Sequence, residues 1–222
     1  MSTTATSTVA GPLVRDRTRD LPAAVLLVGG AACLALGRVL SSNGGSPMQR
    51  LHDMAGHQAQ VTASVLLAVA GFAGLLAGLL AVAARVEGRL ARAGALLCIA
   101  GCVGFAILVS VDASTSAAAE VGRTAPMEDF LHHLDASPAI LAVTPFAVVG
   151  YFIGPFLVAL ATRRARLVPR WLPWAVLASL VLQPVGVALR GPAFAHVADT
   201  VCQLALAAMV GVLARGVLLR RR

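Results

Sequence analysis

The chain of 222 residues contains no lysine, and only 13% of its residues are charged and 5% aromatic. The absence of lysine excludes a lysine Schiff base and a lysine general base. The scarcity of charge argues against a water-soluble domain, because 58% of the residues are hydrophobic, against about 45–50% in soluble domains. The composition therefore predicts a protein whose solvent is lipid.

Disulfides and strong metal motifs are also missing. All four cysteines lie inside apolar runs, so an extracellular disulfide framework is not expected. Cys98 and Cys102 are four residues apart and share one helix face, a position that favours small-residue packing over redox or metal chemistry. The sequence contains no H-E-x-x-H motif either.

What the sequence has instead is six apolar runs of about 20 residues, the length that crosses a bilayer. They lie at Leu21–Leu40, Val61–Ala84, Leu90–Val111, Pro138–Ala161, Trp171–Leu189 and Ala195–Leu213. We therefore predict an all-α, polytopic membrane protein with a six-transmembrane-helix bundle. Residues 21–217 would form one membrane domain, with a disordered tail at 1–20 and a basic tail at 218–222.

Arginine orients this bundle. Fourteen of the eighteen arginines fall in the N-terminal tail, the second and fourth connections and the C-terminus. Cytoplasmic loops carry an excess of basic residues, so both termini are predicted to be cytoplasmic. Frequent Ala, Gly, Val, Leu and Arg indicate a GC-rich bacterial genome. We expect a multi-pass protein of the bacterial plasma membrane, whose basic charge contacts membrane lipids and no nucleic acid.

The outer side then holds all five histidines and seven of the ten acids. Ser46-Pro47 is a helix-start signal, and a helix running from Pro47 into the second span would place Asp53, His57 and Gln60 on one stripe. Before the fourth span, residues 127–135 are typical of a short amphipathic helix. In that helix His132 and His133 follow Asp129 by three and four residues.

The fifth and sixth spans add further polar groups on this side. Gln183-Pro184 predicts a kink in the fifth span with an amide beside it. His196, Asp199 and Gln203 share one face of the sixth span, and Arg190 lies across a short connection as the natural partner of Asp199. An ionisable group at the membrane boundary is a functional-site hypothesis by default.

Three functions fit these residues. We favour binding of a lipid headgroup or small polar ligand in an outward-facing pocket between spans two, five and six. The candidate ligand-binding residues are Asp53, His57, Gln60, Gln183, Arg190, His196, Asp199 and Gln203. The first alternative is a membrane-embedded hydrolase or isomerase that acts with or without a divalent metal. Its candidate catalytic residues are His57, His196 and Asp199, and its candidate metal ligands are His57, His132, His133 and His196. The second alternative is a small transporter subunit, which the absence of a visible repeat disfavours.

Two glycine pairs, Gly74/Gly78 and Gly150/Gly154, have the GxxxG spacing that lets helices approach closely in lipid. They predict packing inside the bundle, with a homodimer through either pair as the alternative.

The segment Arg166–Trp171 has the pattern R-x-V-P-R-W, and Leu134–Pro138 precedes the fourth span. In both segments the chain resembles a group of uncharacterised bacterial six-helix integral membrane proteins. The resemblance implies a six-helix bundle in the plasma membrane, and it implies no activity and no functional residue.

Overall fold

A computed structural model describes residues 17–40, 56–86, 88–121, 126, 129–130, 133–134, 136–178 and 192–218. Throughout these residues the chain is helical, with turns and no strand. The helices are α1 (Arg17–Leu40), α2 (Gln58–Ala84), α3 (Arg89–Val121), α4 (Pro138–Arg164) and α5 (Pro192–Val217). Residues 172–178 form a further helical segment. The all-helical prediction is confirmed for this part of the chain.

Among the described residues, three stretches of helix are long and apolar enough to cross a membrane: Gln58–Ala84, Arg89–Thr115 and Pro138–Arg164. Two shorter apolar stretches, Leu21–Gly37 and Gln203–Val217, lie within α1 and α5. A helix of 27 residues is about 40 Å long at about 1.5 Å per residue. These dimensions agree with a membrane bundle.

Helix α3 extends ten residues beyond the predicted end of the third span, from Val111 to Val121. Its extension is polar, yet the hydroxyl groups of Ser114 and Thr115 are satisfied within the helix. Ser114 donates to the carbonyl of Ser110 (2.8 Å) and Thr115 donates to that of Val111 (2.9 Å). Because these side chains bond to the preceding turn, polar residues do not end the helix here.

Helix α2 begins at Gln58, three residues before the predicted second span, and it is interrupted at its N-terminal side. The predicted continuous helix from Pro47 into the second span is wrong at His57, whose φ of −136° and ψ of 40° are not helical. Gly56 before it is helical, so the break is at His57 itself. The carbonyl of His57 accepts from the backbone N–H of Gln60 and of Val61, both at 3.0 Å. The predicted start at Pro47 lies outside the described residues.

Two antiparallel helix pairs, α1–α2 and α3–α4, form the frame of the bundle. Each pair meets at glycines. A Cβ atom on Gly74 would lie 2.8 Å from the carbonyl oxygen of Leu26, and one on Gly154 would lie 2.7 Å from the backbone nitrogen of Cys98. Contacts this short leave no room for a side chain, so glycine permits the close approach of the backbones. Both predicted glycine pairs therefore pack inside the chain, and a homodimer through them stays a prediction.

The two pairs use nearly the same register. In the first pair Gly30 lies against Gly74 and Leu75, and in the second pair Gly101 lies against Gly150 and Tyr151. At the contacts of Gly30 and Leu27, moving from α1 to α3 adds 71 to the contact position and moving from α2 to α4 adds 76. At the contact of Leu34 with Gly71, which corresponds to that of Gly104 with Ala147, the first shift is 70. Most of the buried positions of α2 and α4 match under the shift of 76. Six positions correspond: Gly71, Gly74, Leu75, Gly78, Leu79 and Val82 of α2 with Ala147, Gly150, Tyr151, Gly154, Pro155 and Val158 of α4. Val61 of α2 and Ala159, Ala161 and Thr162 of α4 are buried without a buried equivalent in the other helix.

The remaining contacts join the helix pairs to each other and to α5, and they show which helix ends lie together. Helix α5 packs on α1, and α2 packs on α3. The backbone of Gly216 near the end of α5 approaches Leu167, which follows α4. Consequently α1 and α3 begin, and α2, α4 and α5 end, at the same end of the bundle. We call it the arginine end, because Arg85, Arg89, Arg164 and Arg215 lie there.

Candidate functional site

The end opposite the arginines carries the described part of the predicted pocket. His57 is exposed as the N-cap residue of α2, without a side-chain capping bond. The exposed amide of Gln60 donates from Nε2 to the carbonyl oxygen of Leu40 at 2.8 Å. Since Leu40 is the last residue of α1, this bond satisfies one helix-end carbonyl and joins the two helix ends.

The helix predicted before the fourth span is helical at several residues that the structure describes, among them Asp129 and His133. Nδ1 of the exposed His133 donates to the backbone carbonyl of Asp129 at 2.8 Å. The imidazole is thus oriented by the main chain, which leaves its Nε2 as an acceptor. His132 lies outside the described residues.

The other predicted ligand-binding residues are described in part or not at all. Asp53, Gln183 and Arg190 lie outside the described residues. His196 and Asp199 belong to the first turns of α5, where the structure describes the backbone alone. Because α5 ends at the arginine end, these two residues lie at the end that holds His57 and Gln60.

Gln203 is buried deeper in the bundle, about 10 Å along α5 from His196. Its amide meets the hydroxyl of Tyr151 on α4: the hydroxyl donates to Oε1 at 3.1 Å, and Nε2 donates to the hydroxyl oxygen at 3.0 Å. Only 9% of Gln203 and 5% of Tyr151 are exposed. This pair joins α4 to α5 in the apolar interior.

Tyr151 also belongs to an aromatic cluster that the sequence did not indicate. Its ring packs edge-on against Phe105, with ring centroids 4.9 Å apart, and Phe105 stacks on Phe72 at 5.1 Å. Phe152 completes the cluster at 5.6 Å from Tyr151. The available signal was the chain's only tyrosine inside an apolar span, since a buried hydroxyl needs a partner.

The cysteines of α3 pack as predicted. Cys98 is buried against Gly154, and the thiol of the buried Cys102 faces the carbonyl of Phe72 at 3.9 Å. In the part of the chain that the structure describes, no three His, Cys, Asp or Glu side chains are grouped to hold a metal. His57 and His133 therefore form no such group with the other described residues, and the side chains of His132 and His196 lie outside that part of the chain.

A small void at the bundle centre is wholly apolar. Residues of α2, α4, α5 and the 172–178 segment line it, among them Leu79, Pro155, Leu172 and Met209. It offers no hydrogen bond to a polar ligand, so the polar end of the bundle is the better candidate site.

No protein-family model, curated protein or solved structure matches this chain. The resemblance carried by Arg166–Trp171 therefore stays an expectation.

Proposed function

We propose that the protein is a six-span membrane protein that binds a lipid headgroup or small polar ligand at its outward-facing end. One observation carries the proposal: α1 packs against both α2 and α5. The polar start of α2, with His57 and Gln60, and the polar start of α5, with His196 and Asp199, therefore lie at one end of the same helix. Asp53, Gln183 and Arg190 would complete the walls, and Gln203 would lie at the floor.

The chemistry of these groups suits a headgroup. An amide, two imidazoles and an arginine donate hydrogen bonds to phosphate or hydroxyl oxygens, while Asp199 accepts from an amine or hydroxyl. Arg190 and Asp199 together match a headgroup that carries both charges.

Soluble headgroup analogues test this proposal. We expect glycerophosphoethanolamine or glycerophosphoglycerol to raise the thermal midpoint of the detergent-purified protein, because a ligand at about 100 times its Kd stabilises by about 2.7 kcal/mol. Asp199→Asn and Gln60→Ala should remove the shift. Thr62→Ala, at an exposed position of α2, is the matched control and should keep it. A shift that survives Asp199→Asn, or no shift with any analogue, contradicts the proposed site.

The orientation in the membrane is tested by reporter fusions. Six spans with both ends in the cytoplasm predict a fluorescent C-terminal GFP fusion and an inactive C-terminal alkaline phosphatase fusion. Phosphatase inserted after residue 45 or 125 is expected to be active, because it folds only outside the cytoplasm. An active C-terminal phosphatase would mean an odd number of spans or the opposite orientation.

A further inference from the structure

We propose that six arginines at the arginine end form a binding site for an anionic phospholipid, with the lipid phosphate held between two connections. The six are Arg85, Arg89, Arg92, Arg163, Arg164 and Arg166, and we call them the arginine patch. The patch lies at the opposite end from the proposed ligand site, so the two proposals are independent.

A small second core brings the two arginine triplets together. Val86 of the α2–α3 turn, Ala91 of α3 and Ala161 of α4 are buried against one another, with Leu90 and Leu167 packed on them. Each of these apolar residues is within a few positions of an arginine in the sequence. Because the core fixes both connections, the positive charges that flank it are held on one small surface.

The formal charge of this surface is strongly positive. Five of the six arginines are exposed and Arg163 is half-buried. Glu87, whose position is not described, is the one acid in these two segments and leaves a formal excess of five positive charges. Helix dipoles favour Arg163 and Arg164 in the last turn of α4, but they oppose Arg89 and Arg92 in the first turn of α3. An anion supplied from outside the chain would offset this repulsion.

The neighbouring surface identifies that anion as a lipid. An exposed apolar stripe follows Arg92 along α3 and consists of Leu96, Ile99 and Val103. Residues at these spacings lie one above another on a helix. A phosphate at Arg92 would place acyl chains along the stripe. Trp171 and Trp174, both exposed, lie in the segment after α4 and are typical of the headgroup level. The guanidinium group of arginine binds two phosphate oxygens at once.

Lipid titration of the full chain in phosphatidylcholine nanodiscs tests the proposal. We expect added phosphatidylglycerol to bind saturably. Native mass spectrometry of the protein released from the nanodisc measures the bound lipid. One arginine near an anionic surface contributes about fivefold in affinity, so Arg89→Gln/Arg92→Gln should weaken binding about 25-fold. The matched control, Arg170→Gln/Arg215→Gln, removes two exposed arginines of the same end outside the patch and should change affinity less than about threefold.

Three further outcomes test the proposed lipid site. Glu87→Gln should strengthen phosphatidylglycerol binding about fivefold, which tests the patch in a protein that loses no arginine. Equal weakening by both double variants would show diffuse attraction and overturn the site. Binding of soluble glycerophosphoglycerol as tight as that of the lipid would overturn the role of the apolar stripe.

Discussion

Replacing Gly30 or Gly101 with leucine is expected to separate the helix pair to which each belongs. A side chain at Gly30 would run into the backbone of α2 at Gly74 and Leu75, and one at Gly101 would run into that of α4 at Gly150. A backbone cannot yield as a flexible side chain does, so each change should cost about 3 kcal/mol or more. The unfolding midpoint in an SDS titration, followed by circular dichroism, measures the loss.

The neighbouring residues provide matched controls. A Cβ atom on Gly29 would meet no other atom within 4 Å, and Ala100 is exposed beside Gly101. Gly29→Leu and Ala100→Leu introduce the same side chain one residue away, where it would face lipid. We expect both to change stability by less than about 0.5 kcal/mol. If Gly29→Leu and Gly30→Leu destabilise equally, the close packing of α1 against α2 is refuted.

The second large effect is expected at the Tyr151–Gln203 pair. Tyr151→Phe removes the hydroxyl and leaves a buried amide without its partner, at a cost of about 1–3 kcal/mol. Gln203→Leu removes the amide that the Tyr151 hydroxyl contacts and should also destabilise the protein. The double variant Tyr151→Phe/Gln203→Leu removes both polar groups and should cost less than the sum of the two single variants, since the pair no longer loses one partner at a time.

A double-mutant cycle in the same SDS titration measures this coupling. Polar pairs between membrane helices average about 0.6 kcal/mol and reach about 1.7 kcal/mol, so we expect a coupling of about 1 kcal/mol. Thr144→Val is the control, because its hydroxyl donates to the carbonyl of Ile140 within its own helix and should show no coupling to Gln203. Strictly additive losses in the Tyr151 and Gln203 variants would show that the two groups do not interact.

Local sequence patterns predicted the helices well and their contacts poorly. Apolar length located all five described helices, and the arginines predicted which helix ends lie together, because hydropathy and charge are read along the chain. The Tyr151–Gln203 bond joins residues 52 positions apart, and no local pattern encodes such a pair. The spacing of Asp53, His57 and Gln60 fits a continuous helix, so the interruption at His57 was not predicted. The interruption lies in the backbone dihedral angles of His57, which residue spacing does not report.

The outer-end site was predicted only as a set of residues. Helical spacing indicates that His196 and Asp199 share a face, yet it does not say which helix that face meets. The packing of α1 on both α2 and α5 brings the start of α5 to the same end of the bundle as the start of α2. The arginine patch shows the same limit, since its two basic connections are far apart in the sequence and are brought together by the small core around Ala91 and Ala161.

The matched registers of the two helix pairs have a consequence for how this protein can evolve. At equivalent positions the first pair holds Leu27, Ala31 and Leu75, and the second holds Cys98, Cys102 and Tyr151, all of them buried. The frame is the same in both pairs because it depends on backbone contact at glycine. Mutation can therefore exchange the buried groups beside the glycines, and so introduce new chemistry, while the architecture is inherited unchanged.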